Sequence, residues 1–372
     1  MVRRPSRAAR IGQWVVLAAM GGGAIFLGQN AADNMSRRHM PFGFGYLGDT
    51  TNFDIPFHLI EFGPSDTYAR ALLVCLLNTL LVSAMGIVTA TLIGLLVGIM
   101  RLSRNWLIRS IGLVYVELIR NTPMLVQIIF WYVAVLQTLP GPRQSIVLPG
   151  DMILNVRGLY LPVPVMGPQG HWLLLWALLF LALTPLAWHL LARAERPRKL
   201  ALLLPLVAAL LFGCGVEGID APSFKGFNVT GGAQLVPELA ALWAGLSIYS
   251  GAFIAEIVRS TIEAVPRGQH EAARSLGLRP GWVLFLVVLP QALRMMVPPL
   301  TSQYLNLIKS SSLGAAVAYP EIFQIFAGTV LNKSGREIET FAIVMAVFLT
   351  INLSVSAAMN AFNRRVALVG VR

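Results

Sequence analysis

The chain has 372 residues, a formal net charge of +12, and 56% hydrophobic against 12% charged residues. A soluble protein carries about 25% charged residues, so this composition excludes an ordinary globular enzyme with one apolar core. The arginines lie in short segments between apolar stretches, and this pattern indicates membrane topology rather than nucleic-acid binding. We therefore predict an all-α, polytopic membrane protein.

Eight apolar stretches follow one another along the chain, each close to the ~20 residues that cross ~30 Å of hydrocarbon. The predicted spans are 12–29, 72–100, 110–136, 172–192, 200–216, 236–258, 283–305 and 339–362. The second exceeds the thickness of a bilayer and is expected to tilt or to project from the membrane. The fourth and fifth are rich in Leu and Ala, and we interpret them as an inserted, lipid-facing hairpin.

Basic residues determine the predicted orientation, because Lys and Arg are enriched in cytoplasmic loops. They cluster before the first span, between the second and third, the fourth and fifth, and the sixth and seventh spans, and after the last. These residues are Arg3, Arg4, Arg7, Arg10, Arg101, Arg104, Arg109, Arg193, Arg196, Arg198, Lys199, Arg267, Arg274, Arg279, Arg364 and Arg365. All of these clusters lie on one side of the membrane if both termini are cytoplasmic.

The loop between the sixth and seventh spans is predicted to contain a short helix over 267–276. Pro266 suits the first turn of a helix, because its fixed φ fits and its missing N–H is not needed there. Gly277 can adopt the left-handed conformation that ends a helix. Pro290 then lies inside the next span, where we expect a kink that neighbouring helices tolerate.

One face of this short helix is predicted to be a docking surface. Ala272, Ala273 and Leu276 can share a small apolar face, and small alanines permit the close approach of another protein. Glu271 and Arg274 are expected to point into water or toward that partner. The alternative is an ordinary basic loop with helical character.

Four sequence blocks carry a resemblance to a known family. The run Glu271-Ala272-Ala273-Arg274-Ser275-Leu276-Gly277, closing with Val287-Val288-Leu289-Pro290, is similar to the EAA loop of ABC importer permeases. Three blocks resemble the polar amino acid (His/Glu/Gln/Arg/opine-type) branch of these permeases, and they are 256–273, 117–127 and 308–313. The resemblance covers about 68–365, interrupted by 137–235. The extra first span and the hairpin are similar to those of the larger general L-amino acid permeases.

The resemblance implies a type I ABC importer permease architecture with an inserted helical hairpin. The chain would then have a cytoplasmic N-terminus and C-terminus, a periplasmic loop, two parts of a permease core and an insertion between them. The boundaries are 1–11 for the N-terminus, 12–29 for the first helix, 30–71 for the periplasmic loop, 72–136 for the first part of the core, 137–235 for periplasmic loops and hairpin, 236–362 for the second part of the core with its EAA coupling loop at 263–282, and 363–372 for the C-terminus.

The same resemblance implies the partners and the residues that couple to them. The partners would be a homodimer of ATP-binding subunits, a second permease that is a paralogue, a periplasmic amino acid-binding protein, and the lipid of the bacterial inner membrane, with no nucleic acid. The coupling residues would be Pro266, Gly268, Glu271, Ala272, Ala273, Ser275, Gly277 and Pro290. The chain has no G-x-x-x-x-G-K-[ST] loop, so it is not expected to hydrolyse ATP, and ATP and Mg would be bound by the partner subunit. The sequence shows no nucleophile–base or metal-ligand constellation, so we expect no catalytic residue, metal or cofactor in this chain.

Polar residues within or beside the spans are candidates for a substrate pathway, because a zwitterion cannot cross hydrocarbon without polar partners. The candidates are Glu117, Arg120, Gln127, Asn306 and Lys309. Glu117 and Arg120 are three residues apart on one helix face, which also fits a local ion pair. Lys309 at the end of a span fits a snorkelling lysine as well as a substrate contact.

Other polar residues near the spans have structural interpretations. Glu256 and Arg259 are better explained as a local ion pair than as substrate contacts, and Asn78 as a residue that joins helices by hydrogen bonds. Three serines at 310–312 are expected to cap a short helix that begins near Leu313.

Two other classes of membrane protein compete with the ATP-driven permease. An ion-coupled secondary amino acid transporter would use Glu117 and Glu256 as ion sites, but it predicts inverted repeats that the sequence does not show. A scaffolding or signalling subunit offers no reason for the EAA-like loop.

Overall fold

The computed structural model describes residues 7–37, 43–193, 198–225 and 228–366, and most of them are helical. The α-helices are α1 (Arg7–Arg37), α2 (Tyr68–Arg101), α3 (Trp106–Arg120), α4 (Met124–Ile129), α5 (Gly170–Arg193), α6 (Leu203–Gly215), α7 (Pro237–Glu263), α8 (Arg267–Ser275), α9 (Pro280–Val283), α10 (Leu289–Ser310), α11 (Leu331–Ser334) and α12 (Glu337–Val366). Short 3₁₀ helices occupy Phe44–Gly48, Pro142–Gln144, Arg198–Leu202 and Ser311–Val317. Three π-helical turns occupy Phe130–Leu136, Leu284–Val288 and Phe323–Val330.

Four helical segments of the described chain are long and apolar enough to cross a membrane, or five if one bent helix pair counts as a span. The four are Tyr68–Arg101, Pro237–Glu263, Pro280–Val317 and Glu337–Arg364. They correspond to the spans predicted at 72–100, 236–258, 283–305 and 339–362. Helices α1, α5 and α6 form where three of the other four spans were expected, and their crossing of a membrane stays a prediction. Arg3, Arg4 and Arg196, part of the predicted cytoplasmic clusters, lie outside the described residues.

The span predicted over 110–136 is not one continuous helix, because the chain bends there by 103° between α3 and the helix that begins at Met124. Pro123 has no N–H to continue the helix, and it disfavours helical geometry at Thr122 before it. The backbone of Pro123 is accordingly extended, with ψ of 135°. This segment is a broken span or a re-entrant loop.

The insertion at 137–235 contains eight short strands where only loops and a hairpin were predicted. The strands are β1 (Ile146–Leu148), β2 (Met152–Asn155), β3 (Gly158–Leu161), β4 (Val163–Met166), β5 (Val216–Asp220), β6 (Ser223–Lys225), β7 (Asn228–Thr230) and β8 (Ala233–Leu235). They form an antiparallel sheet of order β1-β2-β3-β8 and two antiparallel pairs, β4-β5 and β6-β7. The predicted hairpin is present as α5 and α6. Strand β4 leads into α5, and α6 leads into β5.

A tight turn connects the first two strands of the insertion. Pro149, Gly150 and Asp151 separate β1 from β2, and Gly150 and Asp151 have φ of 82° and 57°. Gly and Asp tolerate this left-handed geometry, whereas most residues do not. Because the apolar runs on either side are only three and four residues long, periodicity alone does not distinguish them from loop.

The chain divides into two compact units. The first comprises the described parts of Met1–Ser83, Leu293–Ala315 and Pro320–Arg372, and the second comprises those of Ala84–Ala292 and Ala316–Tyr319.

The segment 43–67, predicted to be a periplasmic loop, contributes to the core of the first unit. Its side chains pack with residues near the start of α2, the π-helical turn Phe323–Val330 and α12, and the buried members from the segment are Tyr46, Ile55 and Phe62. Gly43 N–H donates to the buried carboxylate of Glu339 at 2.7 Å. These contacts tie the segment to the first turn of α12.

Asn78 and Thr79 fasten α2 to the segment that follows Pro320. Asn78 Nδ2 donates to the carbonyls of Phe57 and Pro320, each at 2.9 Å, and Thr79 Oγ1 accepts from Ile322 N–H at 3.2 Å. Both side chains are fully buried. Asn78 was expected to join helices by hydrogen bonds, and it instead joins α2 to two carbonyls outside the helices.

Glu321 caps the helical turn that begins two residues later. Its carboxylate accepts from the N–H groups of Phe323 and Gln324 at 2.8 and 2.6 Å. Burial raises the pKa of this carboxyl to about 7. The turn therefore begins at a buried carboxyl group that meets two otherwise unpaired helix donors.

Replacing Asn78 by leucine is expected to destabilise the first unit, because two buried carbonyls lose their donor at a cost of about 2 kcal/mol. Thermal unfolding of the detergent-purified chain measures this as a lower midpoint. The matched control is Asn332→Leu, which removes an exposed amide whose only hydrogen bond among the described residues is to Gly328 O. Equal midpoints for Asn78→Leu and Asn332→Leu would contradict the bridging role.

Candidate functional site

The short helix α8 lies between α7 and the segment that leads into α10, as the sequence predicted. It runs from Arg267 to Ser275, and Pro266 occupies the position before its first residue rather than the first turn itself. Gly277 has φ of 78°, in the left-handed region. Gly277 N–H donates to Arg274 O at 2.8 Å, and Leu278 N–H donates to Ala273 O at 3.3 Å. This is the Schellman arrangement, so Gly277 ends the helix in the predicted way.

One side of α8 packs against neighbouring segments of the same chain. Ala273 is 4% exposed and Val265, just before the helix, is 3% exposed. Gln291 Nε2 donates to Gln269 Oε1 at 3.3 Å, which joins α8 to α10. The helix is therefore held in place by one buried alanine and one polar contact, and most of its surface is left open.

The exposed side of α8 differs from the predicted apolar face. Ala273 points inward, but Ala272 is exposed and Leu276 is 82% exposed. The expectation that these three residues share a face is wrong, because successive helical residues differ by about 100° in direction and Leu276 already lies at the C-terminal cap. Glu271 and Arg274 are exposed as predicted.

The other residues of the predicted coupling loop have local roles. Ser275 Oγ donates to Glu271 O at 3.0 Å, within the helix. Gly268 has φ outside the left-handed region, and no atom of the described residues lies within 4 Å of the position that a Cβ would occupy. The described part of the chain therefore does not require glycine there.

Pro290 lies at the second residue of α10, directly after the π-helical turn Leu284–Val288. A proline in this position has no N–H for the carbonyl of Leu286, so a local departure from α-helical hydrogen bonding is expected. The π-helical turn is the irregularity observed beside Pro290, and the predicted kink stays a prediction.

Three of the five predicted pathway residues lie around the break between α3 and α4. Glu117 and Arg120 are exposed at the end of α3 rather than inside a continuous span. Glu117 Oε2 accepts from Asn121 Nδ2 at 3.4 Å, and the Arg120 guanidinium lies 5.1 Å from the centroid of the Phe253 ring. The two residues therefore have different neighbours instead of forming the local ion pair.

Gln127 bridges the break itself. Its Nε2 donates to the carbonyls of Ile119 and Thr122 at 3.0 and 3.1 Å. These carbonyls are at the end of α3, where the helix leaves acceptors without partners. Gln127 is buried, and its Oε1 has no hydrogen-bond partner among the described residues.

Asn306 and Lys309, the other predicted pathway residues, are exposed near the end of α10 in the first unit. The short helix expected after them is the 3₁₀ helix Ser311–Val317. Its serines do not cap it: Ser311 Oγ donates to Ile308 O and Ser312 Oγ to Lys309 O, at 2.7 and 2.8 Å. The hydroxyls satisfy the last carbonyls of α10, because a helix C-terminus offers acceptors rather than donors.

The Glu256–Arg259 ion pair is present, with 2.5 Å between Oε1 and Nη2. The sequence did not indicate that Glu256 also pairs with Arg101 at the end of α2. Arg101 had been interpreted only as a marker of orientation. Its distance of 155 residues from Glu256 along the chain leaves no local pattern that would reveal the contact.

Comparison with known proteins identifies a family whose matched region includes α8 and the turn at Gly277. The family described as binding-protein-dependent transport system inner membrane component matches residues 90–368. The chain belongs to this family. The match covers α3, α4 and the whole of α7 to α12, including α8. It leaves the segment 43–67 outside the matched region.

Relatives match this inner membrane component over nearly its full length. The putative amino-acid ABC transporter permease protein YhdX of Escherichia coli K12 is 45% identical, over 98% of this chain and 95% of the relative. The general L-amino acid transport system permease protein AapQ of Rhizobium johnstonii is 44% identical, over 96% and 92%. The glutamate/glutamine/aspartate/asparagine transport system permease protein BztB of Rhodobacter capsulatus is 38% identical, over 96% and 93%.

Proposed function

We propose that this transport component is the permease subunit of an ATP-driven importer of L-amino acids, with α8 as the surface on which a separate ATPase subunit docks. The observation that carries the proposal is the open side of α8. Leu276 at its end is 82% exposed, and an apolar side chain of this size gains free energy when a partner covers it.

The local chemistry of α8 supports docking. Glu271, Ala272 and Arg274 are exposed beside Leu276, so charged and apolar contacts are available together. Gly268 is exposed without a structural requirement for glycine, and the absence of a side chain permits close approach of another backbone. We assign ATP and Mg to the docked subunit.

The substrate proposal rests on the relatives, whose names specify amino acids. Among the predicted pathway residues, we retain Arg120, Asn306 and Lys309 as candidate contacts for a carboxylate, because each is exposed and can donate hydrogen bonds. Glu117 is the candidate for an ammonium group. Gln127 is principally a structural residue, because its amide nitrogen is engaged by two carbonyls.

The remaining partners follow from this function. A pathway for a zwitterion requires a second permease to complete a polar cavity, and the inserted hairpin favours a paralogue over a second copy. A periplasmic amino acid-binding protein would deliver the substrate. Both termini are assigned to the cytoplasm, because this orientation puts α8 on the side where ATP is available.

The first test is purification of a tagged chain from its native membrane, with identification of the proteins that accompany it. We expect an ATP-binding subunit and a second permease with the wild type. Glu271→Lys reverses an exposed charge on α8 and is expected to reduce recovery of the ATP-binding subunit by about tenfold. Glu217→Lys reverses an exposed charge on β5 and serves as the matched control.

The outcomes separate the proposed function from the proposed surface. A chain recovered without any ATP-binding subunit would overturn the importer assignment and favour the ion-coupled transporter. Equal recovery of the subunit with Glu271→Lys and Glu217→Lys would retain the importer but remove α8 as the docking surface.

A further inference from the structure

A chain of four charged side chains connects the end of α2 with the end of α7. The Arg101 guanidinium pairs with Glu256, and Glu256 also pairs with Arg259. Arg259 pairs in turn with Glu263, the last residue of α7. Only 264–266 separate Glu263 from the first residue of α8. The ion pairs therefore run from α2 to the residue that precedes the connection to α8.

Arg101 is enclosed between two helices. Its side chain is 10% exposed. A Cβ at Gly112 of α3 would lie 2.9 Å from Arg101 Cγ, so the glycine leaves the space that the arginine stem occupies. Its guanidinium meets Glu256 on α7. This burial distinguishes Arg101 from exposed ion pairs, which contribute little.

The contact between α2 and α7 is close along the turns before Arg101. A Cβ at Gly98 would lie 2.7 Å from Val258 Cβ and 3.0 Å from Ala255 O. Small residues four apart, here Gly94 and Gly98, allow such close approach of helices in membranes. Arg101 extends this glycine contact by one turn with an ion pair, and all of these residues belong to the second unit.

We propose that Arg101 is a positioning residue that couples displacement of α8 to α2 and α3. This inference rests on the proposed docking of an ATPase subunit on α8. If the end of α7 could tilt freely relative to α2, movement of α8 would be absorbed at the end of α7 and in the connection at 264–266. It would then not reach α2. Separating Arg101 from Glu256 leaves a largely buried guanidinium without its carboxylate partner, which is strongly unfavourable, although Glu256 keeps its pair with Arg259. The ion pair therefore makes α8, α7 and α2 move together.

The alternative is that the ion pairs only stabilise the fold. A stabilising role would change the amount of assembled complex but not the amino acid moved for each ATP hydrolysed. The deciding quantity is therefore uptake per ATP in proteoliposomes that contain the full complex, supplied with the binding protein.

Three substitutions make the experiment specific. Arg101→Met removes the charge but keeps an unbranched stem against Gly112, and uptake per ATP is expected to fall by about tenfold while the ATPase subunit still co-purifies. Arg101→Glu combined with Glu256→Arg restores an ion pair and is expected to recover more uptake than Arg101→Glu alone. Arg104→Met removes an exposed arginine from the same connection and is expected to stay within about twofold of wild type.

Each outcome bears on the inference. Wild-type uptake per ATP with Arg101→Met would overturn it. If Arg101→Met does not accumulate, Arg101→Lys replaces it, because lysine keeps the charge without the planar guanidinium; reduced uptake per ATP supports the inference and an unchanged ratio overturns it. A wild-type complex that lacks the ATPase subunit would instead refute the proposed function.

Discussion

Gly98→Leu is expected to prevent accumulation of the folded chain in the membrane. The new Cβ would lie 2.7 Å from Val258 Cβ and 3.0 Å from Ala255 O, and the latter is backbone that cannot move aside. Overpacking of this kind costs about 3 kcal/mol. Displacing α2 would also separate Arg101 from Glu256, which adds the cost of a largely buried guanidinium without its carboxylate partner. The total is a large fraction of the stability of an ordinary domain.

The amount of full-length chain in membranes and its elution as a single species in detergent measure this effect. Gly213→Leu in α6 is the matched control, because no atom of the part of the chain that the structure describes lies within 4 Å of a Cβ there. Adding Val258→Gly to Gly98→Leu removes the Val258 Cβ and Cγ1 atoms, each 2.7 Å from the new Cβ, and should restore some folded chain. A stable, monodisperse Gly98→Leu protein would show that the close contact of α2 and α7 is not required.

Gly277→Val is expected to reduce amino acid uptake to background without removing the chain from the membrane. Gly277 has φ of 78° and open space around it, so the consequence of a side chain is conformational rather than steric. A β-branched residue is strongly disfavoured at positive φ. The turn would lose the hydrogen bonds from Gly277 and Leu278 to the end of α8, and the docking surface would change shape.

Uptake of labelled L-amino acids by cells that carry the variant as their only copy measures this prediction. Gly277→Asn is the matched control, since asparagine also ends helices in the left-handed conformation, and its uptake should remain within about threefold of wild type. Comparable loss in the valine and asparagine variants would mean that the absence of a side chain, rather than the backbone geometry, matters. Normal uptake with valine would remove this turn from the coupling surface.

The long spans and the turn after α8 were predictable because their determinants are local. Uninterrupted apolar runs predicted α2, α7 and α12, since hydrocarbon requires a backbone whose hydrogen bonds are satisfied within the segment. Gly277 predicted the end of α8 because few residues other than glycine adopt φ of 78° readily. The physical properties of a short polar helix do not indicate its function. The predicted docking function came instead from the family resemblance of this loop.

The break at 121–123 and the strands of the insertion were missed for different reasons. Thr122-Pro123 was a readable signal for a helix end, but the apolar residues on both sides made 110–136 look continuous. The strands of the insertion are three to five residues long, and segments so short carry too little periodicity to be distinguished from loop.

The sequence by itself determined the membrane character of this chain, its family and the place and end of α8, because each depends on composition or on neighbouring residues. Only the tertiary structure decided the partners of its charged and polar side chains. Arg101 meets Glu256 because Gly98 lets α2 lie close to α7, and Asn78 meets Pro320 because the chain returns to α2 after 242 residues. Such pairings depend on how helices pack, which no local pattern encodes.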